Sequence, residues 1–257
     1  MGCLNGSLAK RTPDFRSWGN TGAMSSEIDR IAQERLAADE AIIGARKVKV
    51  TLRQTAVEFW RHPTPWMIGI LLVASVTWRV VEGDWRWSDL IGPAVLVALF
   101  PFIEWTIHVF VLHYRPREVA GRMLDYQLAR DHRRHHMDPR DIPLVFIPWQ
   151  SLAVLAPIGI TIALLAFPRL GHALAFIIAS YITMFIYEWT HYLIHSDYKA
   201  KSRFYRAIWR NHRLHHYKNE HYWFGVATGD TSDRLLRTSP DPAAVAASPT
   251  AKNLHGL

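Results

Sequence analysis

The chain has 257 residues, a formal net charge of +8 and 49% hydrophobic residues gathered into long runs, a pattern that excludes an ordinary soluble domain and nominates lipid as solvent for its middle. Its single cysteine, Cys3, excludes intrachain disulfides and cysteine-built zinc or iron–sulfur sites, so any metal must sit on nitrogen and oxygen. A positive balance suits nucleic acid or an anionic membrane face; beside apolar runs the membrane is the better partner, and no nucleic-acid partner is expected.

The first forty residues lack the apolar core and small-residue cleavage site of a secretory signal. The opening Met1-Gly2-Cys3 does not make a lipidation motif, because Gly6 stands where Ser or Thr is required. Residues 1–23 read as irregular, and Met24 opens a cleaner helical sequence, as an upstream misassigned start would leave it. From Ser25 to about Trp60 a charged, alanine-rich pattern predicts an amphipathic helix in the cytosol or on the membrane surface. Four apolar spans follow, at about Trp66–Val81, Leu90–Leu112, Pro143–Phe167 and Leu170–Ile194. At 1.5 Å per residue, about 20 residues cross a hydrocarbon core of about 30 Å. The tail from Thr238 is rich in Pro, Ala, Ser and Asp without apolar period, and reads as loose. The expected organisation is therefore an N-terminal tail and amphipathic helix over 1–60, a membrane-embedded domain over 61–238 and a flexible tail over 239–257.

Basic residues orient the spans. Segment 114–140 carries Arg115, Arg117, Arg122, Arg130, Arg133, Arg134 and Arg140, and the segment after His195 carries Lys199, Lys201, Arg203, Arg206, Arg210, Arg213 and Lys218. The positive-inside rule places both segments and both termini in the cytosol.

Eleven of the fourteen histidines fall into four clusters on that same side, and the clusters repeat in order. The first half has Glu104, His108 and His113, then His132, His135 and His136; the second has Glu188, His191 and His195, then His212, His215 and His216, with His221 behind. Neutral imidazole binds iron, zinc or copper, so ten of them in matched sets imply a metal site, with two ions expected. In a helix His191 and His195 share a face, and each H-x-x-H-H set offers three imidazoles at i, i+3 and i+4, read here as convergent. His108 and His113 are five apart, about 140° around a regular helix. Either the helix ends or bulges there, or the two bind different ions.

Glu104 and Glu188, each about one turn before a histidine, are candidates to accept a ligand's second ring N–H or to ligate directly. Asp131 and Asp197 are looser candidates for the same role, and His221 stands between ligand and surface residue. His62, His172 and His255 read as ordinary surface or core residues, and Trp66, Trp78, Trp85 and Trp149 as interfacial anchors.

Together, Glu104 to His113, the block Asp131-His132-Arg133-Arg134-His135-His136 with Asp138-Pro139-x-Asp141 and Leu144-Val145-Phe146, and Tyr187-Glu188-Trp189-Thr190-His191 leading through His195 to Asn211-His212, His215-His216-Tyr217 and Phe224-Gly225-Val226, resemble the fatty acid hydroxylase / sterol desaturase superfamily, nearest its fatty acid 2-hydroxylase branch. The resemblance covers about residues 100–238. It implies an all-α integral membrane protein, a four-helix transmembrane bundle with a cytosolic helical cap holding a histidine-rich di-metal site. The ligands it implies are His108, His113, His132, His135, His136, His191, His195, His212, His215 and His216. Two iron ions are the implied cofactor, with zinc as a substitute that a purified sample could hold.

The implied activity is O₂-dependent hydroxylation of an unactivated C–H bond of a lipid, a fatty acyl chain first. A desaturase or hydroxylase acting on a sterol or carotenoid is the alternative within the family. Some relatives carry a fused cytochrome b5 domain that this sequence lacks, so an external donor is expected, such as ferredoxin or cytochrome b5 with its reductase. Where relatives have Asp-x-x-x-Gly-Thr, this chain has Asp233 to Thr238 with Arg237 in the glycine place, which puts the local turn in question. A membrane metal transporter or sensor is the rival of a different class. It would need a polar path through the spans, and apart from Glu104 and Glu188 these hold almost no ionisable groups. The expected location is a bacterial inner membrane, or the endoplasmic reticulum in a eukaryote.

Overall fold

Thr51 opens the first helix with described bounds through a reciprocal cap: its hydroxyl accepts the Gln54 N–H at 3.3 Å, and Gln54 Oε1 receives the Thr51 N–H at 2.8 Å. Helix α1, Leu52–Phe59, follows. Pro63 and Pro65, tolerated in a first turn whose N–H groups lack helical partners, open α2, Pro63–Glu82. Gly83, at φ +66°, ends it. A 3-10 turn, Trp87–Leu90, runs into α3, Ile91–Thr106, which continues as a π-helical segment, Ile107–Leu112. A hairpin of β1, Arg117–Val119, and β2, Arg122–Leu124, turns through Ala120 and Gly121, both at positive φ. Then come α4, Gln127–Met137, a 3-10 turn Ile142–Val145, α5, Trp149–Ala166, α6, Leu170–His195, α7, Arg203–Tyr217, and α8, Thr231–Leu235. The computed structural model describes residue 30, residues 33–34, 50–199 and 201–256. Among these, the hairpin is the one sheet of an otherwise helical fold.

Four stretches are long and apolar enough to cross a membrane: Pro63–Glu82, Trp87–Leu112, Ile142–Ala166 and Leu170–His195. Most of their apolar side chains, Val73, Val95, Leu99, Ile158 and Ile162 among them, face outward, which is stable only where the surroundings are apolar. The chain is a membrane protein. These stretches agree with the expected spans, the first being longer because the two prolines start it early.

Helix α6 is the axis of the bundle. It packs along α2, α3 and α5, around Ile68, Leu152, Ala163, Ile177 and Tyr181, while α3 and α5 lie on different sides of it without extensive contact with each other. At one end the interhelical connections are tied by charge. Arg79 and Asp89, both almost fully buried, pair at 2.5 Å; Arg169 reaches Asp89 at 3.0 Å and Asp84 at 2.8 Å. Gly171 packs against this pair, with the place of a Cβ in ordinary contact with Asp89 and Arg79. A buried carboxylate supplied with several donors holds these connections without an unpaired charge. His172 belongs to this end, 2.9 Å from the Ser88 hydroxyl, and has nothing to do with the other histidines. At the opposite end α4, α7, α8 and the C-terminal segment form a cap.

The tail does not behave as its composition suggests. Ala251 and Leu254 are almost fully buried, and Ser248 N–H bonds the Lys218 carbonyl at 2.7 Å. It has no apolar period because it forms no long helix; it is seated by hydroxyls and small side chains instead. The expected amphipathic helix over Ser25–Trp60 is described in its last part, α1. Most of the rest, with the lipidation and start-site readings, lies outside the described residues.

Candidate metal centre

Ten imidazoles from four separate elements meet where the cap joins the bundle. They form two groups of five: His108, His113, His132, His136 and His215 in one, and His135, His191, His195, His212 and His216 in the other, with one nitrogen per residue within 4.8 Å of the others in its group. The groups adjoin, His136 and His216 lying 4.2 Å apart between ring centres.

The grouping corrects the expectation that each H-x-x-H-H set converges as three. Successive helical residues point about 100° apart, so His135 and His136 cannot aim at one point. His132 and His136, nearly superposed at i and i+4, join the histidines of their own half, and His135 crosses to the other group. Its counterpart His215 makes the reverse exchange, leaving His212 and His216 at home.

The spacing of His108 and His113 also resolves. Over Ile107–Leu112 the helix is of π type, and the His113 N–H bonds the His108 carbonyl, five residues back, at 3.0 Å. The wider turn brings two residues five apart onto one side, so both rings enter the same group.

Backbone carbonyls, rather than Glu104 and Glu188, hold the rings. His108 Nδ1 donates to Phe224 O at 2.7 Å, His191 Nδ1 to Val145 O at 2.8 Å, His215 Nδ1 to Tyr222 O at 2.8 Å and His136 Nδ1 to Ala251 O at 2.9 Å. A carbonyl only accepts, so in each ring Nδ1 carries the proton and Nε2 presents a bare lone pair. Glu104 instead receives the N–H groups of Val226 at 3.2 Å, Ala227 at 2.6 Å and Thr228 at 3.3 Å; Glu188 receives the Ile147 N–H at 2.8 Å. The two halves thus use one device: a histidine grips a carbonyl, and the preceding glutamate grips the amide two residues on. The 3-10 turn ends at Val145, Phe146 is extended at φ −82° and ψ 151°, and Pro148 caps the next helix, so the Val145 carbonyl and the Ile147 N–H lie between helices and are free for these bonds.

Asp131 and Asp197 pair with Arg134 at 3.3 Å and Arg140 at 2.9 Å instead of with histidine. His221 belongs to neither group: its side chain is 69% exposed and lies 3.5 Å from Glu220. His62 stacks on Phe146, as a core residue does. His255, read as ordinary, in fact touches the site, with Nε2 2.9 Å from the His113 carbonyl.

The inward nitrogens have the spacing and protonation that a cation needs. Nε2 atoms of His113 and His215 are 3.2 Å apart, those of His195 and His212 3.1 Å, and those of His212 and His216 3.0 Å. Two nitrogens each about 2.1 Å from one ion at a right angle lie about 3 Å apart. The Nε2 atoms of His108, His132, His136 and His191 are buried without a hydrogen-bond partner among the described residues. Burial pushes the imidazoles of His113, His132, His135, His212, His215 and His216 well below their ordinary range, with neighbouring rings adding to the effect. His136 is pushed down to about 3 by burial, against the opposing bond to Ala251. Neutral rings are the form that binds metal, and near pH 7 protons do not compete for them.

A family comparison reads the same stretch of chain. The model of the fatty acid hydroxylase family matches residues 93–238, more than half of the sequence. The chain belongs to the fatty acid hydroxylase family. Among curated proteins, the chain is 27% identical over 196 residues to a dihydroceramide fatty acyl 2-hydroxylase of Arabidopsis thaliana, covering 75% of this chain and 78% of that one. It is 27% identical over 143 residues to the fatty acid 2-hydroxylase of Mus musculus, covering 55% of this chain and 38% of the relative. The solved structure of full-length scs7p, in which only the hydroxylase domain is visible, has a TM-score of 0.55 at 20% identity, covering 78% of this chain and 70% of that one. That likeness concerns the fold.

The chain's departure from its relatives at Arg237 leaves the turn intact. Arg237 adopts φ +60°, and Asp233 still receives the N–H groups of Phe224 at 3.0 Å and Gly225 at 2.8 Å and the Thr238 hydroxyl at 2.6 Å. Burial raises the Asp233 carboxyl, while these three bonds oppose the rise. A side chain in the left-handed region costs about 1–2 kcal/mol, partly offset by the greater chain entropy of glycine. Arg237→Gly is therefore expected to stabilise the protein by up to about 1 kcal/mol, read as a higher thermal midpoint in detergent.

Proposed function

We propose that this chain is an O₂-dependent lipid hydroxylase whose ten clustered histidines hold two iron ions, five to each, on the cytosolic side of the membrane. The observation that carries this reading is an apolar groove whose lining runs, through Ile107, Leu112, Leu128 and Tyr187, to within a helical turn of His108, His113, His132 and His191. It has a volume of about 400 Å³, with α6 as floor and α3 and α5 as walls; Ile107, Leu112, Leu128 and Tyr187 line the end at the histidines, and Leu96, Ala163 and Phe176 the other. From Tyr187 to Phe176 is eleven residues of helix, about 16 Å.

When bound, the metal pair supplies the activation of O₂ that inserts one oxygen atom into a C–H bond. The balance is one O₂, two electrons and two protons per lipid, giving the alcohol and water. The electrons come from an external donor of the ferredoxin or cytochrome b5 type. The chain's own residues position and shield. The carbonyls of Phe224, Val145, Tyr222 and Ala251 orient the rings of His108, His191, His215 and His136 and leave each Nε2 free to hold metal, and the groove walls would keep water from the reacting carbon. Because the centre lies at one end of the groove, a chain whose tail fills it presents a carbon near its polar head. This suits a fatty acyl group hydroxylated close to its carbonyl, the position named for the plant and mouse relatives.

The gap between α3 and α5 gives a bilayer lipid sideways access. Gly159 stands in the α5 wall, exposed, with nothing within 4 Å of where its Cβ would be. Reconstituted protein with a donor system and ¹⁸O₂ is expected to add one labelled oxygen to acyl lipids, read by mass spectrometry. Gly159→Trp should lower turnover of long chains at least tenfold relative to short ones, with metal content unchanged. Loss of two hydrogens without oxygen incorporation would overturn hydroxylation, and an unaltered chain-length profile would overturn access at Gly159.

A further inference from the structure

The family match ends at residue 238, but the contacts made on the histidine centre do not. Carbonyls behind His108, His191 and His215 belong to residues 145, 222 and 224, inside the matched region, whereas the carbonyl behind His136 is that of Ala251. His255 supplies a second contact, Nε2 donating to the carbonyl of His113 at 2.9 Å. Both contacts fall on the group formed by His108, His113, His132, His136 and His215.

Glu220 seats this segment. The residue is 2% exposed, and its Oε1 accepts the Ser248 hydroxyl at 2.9 Å and the Thr250 hydroxyl in a short bond. Around that anchor, the Asn219 side-chain amide donates to Ala246 O at 3.1 Å, and the Lys252 ammonium lies 4.7 Å over the Tyr217 ring. A carboxylate is costly to bury unless it organises donors. Here the donors it gathers are three and one residues from the carbonyl that orients His136.

We propose that residues 246–255 form a strap that is part of the metal centre, with Glu220 as the positioning residue that seats it against His136 and His113. The inference rests on the reading of those histidines as ligands. Loss of an outer hydrogen bond to a ligating histidine weakens metal binding by about 10–100-fold, and the strap bears on one group alone. The protein therefore should release its two metals unequally once the anchor is cut.

The test uses the full chain in detergent, loaded with Fe(II) or Zn(II) and challenged with a chelator, with metal release followed in time. Wild type is expected to release both ions slowly. In Glu220→Ala one ion per chain should leave about 10–100-fold faster while the other keeps the wild-type rate, and hydrogen exchange at 246–255 should rise. Glu220→Gln retains an acceptor for Ser248 and Thr250 and should restore most of the retention. If Glu220→Ala does not fold, the pair Ser248→Ala and Thr250→Ala cuts the same anchor from the strap side with the same expected result. Wild-type release rates for both ions in these variants, with metal bound normally, would overturn the strap alone. Wild-type protein that holds no metal would overturn the strap and the functional reading together.

Discussion

His135→Ala is expected to strip metal from the group built on His191, His195, His212 and His216, although His135 lies next to His136 in the first half of the chain. His132→Ala should do the opposite, weakening the group of His108, His113, His136 and His215. Each change removes one inward nitrogen from a set of five, a larger loss than the 10–100-fold that follows from disturbing an outer partner. Metal content per chain should fall from two toward one in both variants, and turnover below detection, with membrane insertion preserved because neither residue lies in a span. Metal analysis with spectroscopy of a cobalt-substituted sample checks it: identical residual spectra from the two variants would mean that the histidines sort by sequence neighbourhood and not by the crossed arrangement.

The second large effect is expected at Gly225. A Cβ there would lie 1.8 Å from the Gly229 carbonyl oxygen and 3.2 Å from Asp233 Oδ2, and the first of these is backbone that cannot swing aside. Gly225→Ala must open the loop that gives Phe224 O to His108 and the amides of Val226, Ala227 and Thr228 to Glu104. We expect destabilisation on the order of 3–5 kcal/mol, the range of changes that strip a buried network of its partners. A lower thermal midpoint together with weakened metal retention checks it; a variant as stable as wild type would mean that the loop has slack the distances deny.

How far the sequence reached depends on the kind of signal. The spans were legible because twenty apolar residues in a row answer to one physical demand, the thickness of the hydrocarbon core. The ten histidines were legible because clustering and repetition are visible in one dimension. Their division was not, because it turns on the rotation between His135 and His136 and on the π-helical turn before His113. Partners of the rings were hidden for a different reason: a carbonyl acceptor can come from any residue, so Phe224, Val145 and Ala251 left no mark of side-chain chemistry. Glu104 and Glu188 stood at conspicuous positions and drew the inference away from the backbone they actually serve. The tail misled by composition, since Ser, Pro and Ala also suit a short segment pinned by a buried carboxylate such as Glu220.

The reciprocal crossing of His135 and His215 gives the fold an inner symmetry of contact. Each half contributes four imidazoles to one group and lends its fifth to the neighbour, and each half's Glu and His grip a loop belonging to the other. This is the relation found between the subunits of an isologous dimer, here written into a single polypeptide. Neither repeat can finish a group of five imidazoles unaided, so both groups are complete only after the two halves have docked.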